Sequence, residues 1–242
     1  RPVCSSISGP RGLNREELTR LTKLRSMIKL FDTTKLSPEG FKVLTTDEKV
    51  TLPNGFLVEN GLDFRNRFHL NPLFEADLFV PAGGRPDSIN INNVNKLFKN
   101  DGTPKIKYIV EGANLFISPE ARLYLEERGV VNIKDASANK GGVTSSSKEV
   151  LAALALNNEE FEKHMSVKEH GKPPSFYKHY VDYIIKHVRE NAYLEFEALW
   201  NEAEKTGKPK SILTDLLSTQ INSINDDIQN SSLWNNKSCV KK

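Results

Sequence analysis

The sequence predicts an α/β protein: the later part of a doubly wound, mainly parallel sheet, followed by a helical segment at the C-terminal end. Three observations predict it. Short, mostly apolar runs recur at 76–81, 106–110 and 130–134. Stretches with helical periodicity alternate with them, and short apolar strands separated by helices favour parallel crossover units covered on both faces. Each run also ends in a loop of Gly, Ala and Asn, and in such sheets ligands sit beyond the carboxyl ends of the strands.

Taken in order, the first element is a helix over 14–31. Leu18, Leu21, Leu24, Ile28 and Phe31 fall on one face, and Asn14 with Glu17 makes a capping-box variant. Phe41 to Thr45 follows as an extended run. Val50-Thr51-Leu52 and Phe56-Leu57-Val58 then flank the turn residues Pro53-Asn54-Gly55, which predicts a hairpin outside the main sheet. After the first central strand, the polar stretch to Phe98 has moderate helical character. After the second, Ser118-Pro119-Glu120 reads as N-cap, first helical residue and first-turn acid of a helix ending at Gly129. After the third, a helix runs through Val143, Val150, Leu151, Leu154 and Leu156. Beyond 157–160 the character changes: long helical patterns occupy 176–205 and 211–228, and a polar, frayed tail is expected over 229–242.

Composition narrows the function. The 242 residues carry 34 Lys and Arg against 31 Asp and Glu, a formal charge of +3, so no basic excess marks a nucleic-acid binder. No apolar run approaches the roughly 18 residues that a membrane helix needs, and no signal-peptide core opens the chain. The two cysteines, Cys4 and Cys239, stand at opposite ends, which fits a reducing compartment and neither a disulfide scaffold nor a zinc cluster. His179 and His187 share a helical face, a pattern of surface or packing rather than of ligands, and no metal site is expected. The glycosylation patterns at Asn230 and Asn236 carry no weight in so Asn- and Ser-rich a tail.

No glycine-rich phosphate turn of the G-x-G-x-x-G or Walker type occurs. The informative loops are instead Pro81-Ala82-Gly83-Gly84, Glu111-Gly112-Ala113-Asn114 and 135–142. Small residues admit a flat ligand to the backbone, an asparagine donates and accepts at once, and the helix opening at Val143-Thr144-Ser145-Ser146 offers free N–H groups to a carboxylate. Any one such loop is more simply a turn, and serines there more simply caps. Three at successive ends of one sheet edge favour a site.

At these loops the sequence resembles a known family. Residues 76–86 (Ala-Asp-Leu-Phe-Val-Pro-Ala-Gly-Gly-Arg-Pro), 108–117 (Tyr-Ile-Val-Glu-Gly-Ala-Asn-Leu-Phe-Ile) and 134–147 (Lys-Asp-Ala-Ser-Ala-Asn-Lys-Gly-Gly-Val-Thr-Ser-Ser-Ser) look like the large-subunit NAD-specific glutamate dehydrogenases of fungi and protists. The similarity extends to Gly12-Leu13-Asn14-Arg15, Leu52-Pro53-Asn54-Gly55, Phe64-Arg65-Asn66-Arg67-Phe68-His69 and Asn191-Ala192-Tyr193-Leu194-Glu195-Phe196. It implies NAD-dependent oxidative deamination of L-glutamate to 2-oxoglutarate and ammonia. By match to the family's motifs, Asn139 holds the substrate α-carboxylate, Val143 and Ser146 line the side-chain pocket, and Ala82, Gly83 and Asn114 face the nicotinamide and its ribose.

The family's pyrophosphate turn, catalytic lysine and aspartate are expected upstream of Arg1, so the catalytic residues lie outside this sequence and the isolated chain is expected to be inactive. The resemblance divides the chain into a partial Rossmann-like dinucleotide-binding domain over 1–157 and a helical segment with polar tail over 158–242. It further implies a homo-oligomer in the cytoplasm, with the mitochondrion as the alternative compartment. Two other functions are weighed beside it. One is a dehydrogenase for another amino acid, which would favour an apolar residue in place of Ser146. The other is a non-catalytic binding or assembly module built on the helices from Phe176 onward.

Overall fold

A computed structural model describes residues 5–8, 12–83, 85–168 and 171–235, with only the backbone of 5–8. Cys4, Gly84, Cys239 and the 236–238 glycosylation pattern lie outside the described residues. The chain divides into two compact units, residues 1–75 and 76–242.

In the first unit, β1 (Ser5–Ser8) pairs antiparallel with β2 (Phe41–Leu44), and β3 (Glu48–Thr51) with β4 (Leu57–Asn60). The expected hairpin is present, with Val50 opposite Val58 and the turn closed from Gly55 N–H to the Leu52 carbonyl at 2.9 Å. Helix α1 (Arg15–Lys23) is shorter than its apolar pattern suggests. Asn14 accepts from the Glu17 N–H as expected of the cap, at 2.9 Å. At the other end Ser26 N–H bonds to the Leu21 carbonyl and Arg25 N–H to that of Thr22, around Arg25 at φ 49. This is a Schellman stop with arginine in the seat usually taken by glycine, and so it leaves no mark in the sequence. Helix α2 (Gly61–Arg67) packs Phe64 on a core of Val43, Leu52 and Val58, with Phe41 and Phe68 meeting Phe64 edge to face.

The second unit holds the predicted sheet. Strands β5 (Ala76–Phe79), β6 (Ile106–Val110) and β7 (Val131–Ile133) are parallel, in that order. The crossover from β5 to β6 differs from expectation: its regular part is a single 3₁₀ turn, Val94–Leu97. The side chains of two asparagines, Asn90 and Asn93, explain this. Asn93 accepts from the Asn90 N–H, Asn90 accepts from the Asn92 N–H, and the amides of Asn90 and Asn93 donate to the Asp87 and Ser88 carbonyls. Such local bonds compete with a helical ladder. Ile89, Val94 and Leu97 still anchor the segment in the core.

The second crossover is α3 (Pro119–Glu126), capped by Ser118 and ended at Gly129, φ 84, as the sequence predicts. Its Ala121 and Leu125 are buried, as are Ile106 and Ile109 of β6 and Val130 just before β7. After β7 come a single turn, α4 (Asp135–Ala138), then α5 (Gly141–Ala155), α6 (Asn158–Met165), α7 (Ser175–Thr206) and α8 (Lys210–Asn230). Helix α8 returns to the sheet. Its Ser211 N–H and hydroxyl both donate to Glu126 of α3, and Thr214 meets the Ser137 hydroxyl at 3.0 Å. Burial pushes the Glu126 carboxyl above its usual range, against the Ser211 hydrogen bonds that pull it down. The sheet is not covered on both faces throughout: Leu78 and its register partner Tyr108 stay about half exposed, at 53% and 46%.

Candidate functional site at the strand ends

The three loops singled out in the sequence follow β5, β6 and β7, and the structure brings them together. The Ala113 N–H donates to the Pro81 carbonyl at 2.6 Å, joining the first loop to the second. At Gly112 a Cβ would stand 3.1 Å from that same carbonyl oxygen, so the two backbones approach as closely as glycine permits. Asn139 Nδ2 donates to Asn114 Oδ1 at 2.8 Å, joining the second loop to the third. Ala82 and Gly83 are exposed at the rim, and a side chain grown at Gly83 would meet nothing within 4 Å. Ala82 and Gly83 therefore present accessible backbone beside the second loop.

The remaining predicted residues lie on the first turns of α5. Val143 is 73% exposed, and Ser146 is exposed with its hydroxyl donating back to the Val143 carbonyl at 3.1 Å. Ser145 and Ser147 do the same toward Gly142 and Thr144, so their geometry does not single out one of the three. No side chain caps α5: its N-cap residue, Lys140, reaches away to Glu195 of α7 at 2.6 Å. The first-turn N–H groups, which have no intrahelical acceptors, remain available to an anion.

Beneath the loops lies a buried charged cluster. Glu111, fully buried at the end of β6, takes both arms of the Arg122 guanidinium, at 2.7 and 2.8 Å, and the Asn132 amide at 3.0 Å. Arg122 lies on α3 and is 3% exposed; it also pairs with Asp135 at 3.4 Å. Burial opposes its charge, yet Glu111 and Asp135 outweigh that and raise its pKa above the ordinary arginine value. The available signal was an arginine within the apolar face of α3 and an acid ending an apolar strand, each of which needs a buried partner. Asp135 passes the order outward. Its carboxylate accepts the N–H groups of Leu115 and Ala136, both at 2.8 Å, and its carbonyl accepts that of Asn139 at 2.8 Å. Leu115 is held at φ 57, a conformation uncommon for a leucine, directly after Asn114.

The arrangement is that of an α/β protein, a parallel sheet whose strand-end loops meet along one edge, where ligands sit in such sheets. The family profile described as Glutamate/Leucine/Phenylalanine/Valine dehydrogenase matches residues 3–207, and the chain belongs to that family. Within it, the chain is similar to large glutamate dehydrogenases. It is 56% identical over 233 residues to glutamate dehydrogenase 2 of Dictyostelium discoideum and 53% identical over 231 residues to the NAD-specific glutamate dehydrogenase of Neurospora crassa. Each alignment covers 96% of this chain and 22% of the relative, so the chain spans about a fifth of the length of these curated relatives. The crystal structure of Plasmodium falciparum glutamate dehydrogenase shares the fold, with a TM-score of 0.51 at 17% identity over 92% of this chain and 39% of that one. Among the described residues no helix is long and apolar enough to cross a membrane.

Proposed function

We propose that this chain supplies the nicotinamide side and part of the substrate site of an NAD-dependent glutamate dehydrogenase, which converts L-glutamate to 2-oxoglutarate and ammonia. The observation that carries the reading is the Asn139 to Asn114 hydrogen bond, which unites the loop matched to the substrate carboxylate with the loop matched to the coenzyme. NAD, when bound, accepts the hydride that leaves the glutamate α-carbon. Ala82 and Gly83 would offer exposed backbone to the nicotinamide, and Asn114 would hold its ribose. Asn139 donates to the α-carboxylate through the amide hydrogen that Asn114 does not use, and the open N-terminus of α5 adds a favourable dipole end. Val143 and Ser146 line the pocket for the side chain, where the serine hydroxyl reaches the distal carboxylate that separates glutamate from aliphatic amino acids. The active form is a homo-oligomer.

Asn139→Ala in the full-length enzyme tests this. It removes a charge-assisted hydrogen bond of about 1.5–3 kcal/mol, which lowers kcat/KM for glutamate roughly tenfold or more. Unchanged kinetics would remove Asn139 from the site.

A further inference from the structure

The cluster under the loops points outward at one residue only. Glu111 and Arg122 satisfy each other inside the core, where Glu111 also accepts the Asn132 amide, whereas Asp135 faces both ways. One of its carboxylate oxygens lies beside Arg122 and accepts the Ala136 N–H. The other accepts the N–H of Leu115, the residue after Asn114. Its main-chain carbonyl takes the Asn139 N–H. Its main-chain tie to Asn139 is one that any residue here would make, and its side chain reaches Asn114 by way of the next residue, Leu115, and from there the Asn139 amide that Asn114 accepts.

We propose that Asp135 is a positioning residue: braced by Arg122, it sets the register between Asn114 and Asn139, and through them the placement of coenzyme relative to substrate. The inference rests on the function proposed above. Three features support it. Leu115 is more than half exposed, at 60%, so apolar burial does not account for its unusual backbone; it is held by hydrogen bonds on both sides, the Asp135 carboxylate on its N–H and the Asp87 N–H on its carbonyl, and of these only the first leads to the third loop. Asp135 itself is 7% exposed, so its carboxylate is held by neighbours and not by solvent. Arg122 approaches it from α3, an element anchored independently by Ala121 and Leu125, so the brace does not depend on the loops that it orders.

Removing this link should do what loss of stability alone does not. Asparagine at 135 keeps the size of the side chain but leaves one acceptor oxygen for two N–H groups and presents an amide to Arg122. In full-length enzyme, Asp135→Asn should lower kcat/KM for glutamate about tenfold per folded active site, with a rise in glutamate KM and weaker binding of the reduced coenzyme, followed by its dihydronicotinamide fluorescence. The decisive measurement is a double-mutant cycle with Asn139→Ala. If the Asp135 side chain places Asn139 through Leu115 and Asn114, adding Asn139→Ala to Asp135→Asn should cost less than about threefold, against tenfold or more in the wild-type background. Asp135→Glu keeps the negative charge beside Arg122 while moving the acceptor off the Leu115 N–H. It serves as the probe should Asp135→Asn fail to fold, and it should still lose at least fivefold. Additive effects in the cycle, or wild-type constants for Asp135→Glu, overturn the positioning role. Wild-type kinetics for Asn139→Ala alone overturn the site assignment on which it rests.

Discussion

Each unit of the molecule buries one glutamate on an arginine fork, and the two forks serve different ends. In the first unit Glu17, 1% exposed, receives Arg20 from one turn along its own helix at 2.6 and 2.8 Å and the Asp32 N–H at 2.9 Å, with Lys35 at 3.8 Å. Arg20 is half in solvent, and the chain it fixes is the segment immediately after α1. In the second unit Glu111 receives Arg122 from another element, both below 5% exposure, and the fork extends through Asp135 to loops open at the sheet edge. A closed, semi-exposed fork holds a local turn. A closed core fork with one outward arm holds exposed loops at a distance from its own charges.

Substituting the arginines should separate the two most sharply. Arg122→Leu leaves Glu111 and Asp135 buried without their cation, and breaking such a pair costs about 3–5 kcal/mol. Arg20→Leu leaves Glu17 with the Asp32 N–H and Lys35, so its midpoint in a urea titration should shift far less. Equal shifts would mean that the depth of the second fork adds nothing.

Close backbone approach distinguishes the units in the same way. A Cβ at Gly61 would lie 1.9 Å from the Leu44 carbonyl oxygen, an overlap that the first unit relieves only by moving α2 off β2. At Gly112 the nearest atom would be 3.1 Å away, a contact that a shift of a few tenths of an ångström accommodates. Gly61→Ala should therefore lower folded yield, read by circular dichroism. Gly112→Ala should leave the fold and weaken NAD binding in the full-length enzyme, because the shift falls on the Pro81-Ala82 rim.

Acid should break the first fork. The Arg20 hydrogen bond, aided by the Asp32 N–H, lowers the Glu17 pKa from 4.5 to about 2. A carboxylate whose pKa is depressed on folding stabilises fully above its unfolded value and loses that contribution as pH falls through the folded one. The stability of the first unit should thus decline between about pH 4.5 and 2. Glu17→Gln should flatten that decline while lowering stability at neutral pH. A wild-type slope in Glu17→Gln would assign the acid sensitivity to other carboxylates.

How far the sequence disclosed these features depends on whether the deciding contact is local. The hairpin, the Ser118 cap, Gly129 and the three parallel strands rest on neighbouring residues or on apolar runs, and all were legible. The early stop of α1 was not, because Arg25 does what a glycine would advertise. Nor was the 3₁₀ crossover, where side-chain amides outcompete a helix whose apolar spacing at Ile89, Val94 and Leu97 is real but serves as anchorage. The site loops were legible as Gly- and Asn-rich strand ends. Their support was not: Glu111, Arg122 and Asp135 are brought together across 24 residues by folding, and no spacing rule links them.

The smallest effects on the fold, and the sharpest test of the open arm, come from the serines of α5. Ser145, Ser146 and Ser147 are all exposed and each hydroxyl merely returns to a carbonyl three residues back, so replacing any one by valine should change stability by no more than about 0.5 kcal/mol. Their functional effects should differ, because successive residues on a helix point about 100° apart and only one of the three can face the distal carboxylate of a glutamate held at Asn139. In the full-length enzyme, Ser146→Val should lower glutamate turnover at unchanged thermal stability, since a carboxylate left without its donor is costly to bind. Ser145→Val and Ser147→Val are the controls. Loss of turnover at one of them instead would shift the assignment by one position, and neutrality at all three would make these residues helix-turn bonds with no part in choosing the substrate.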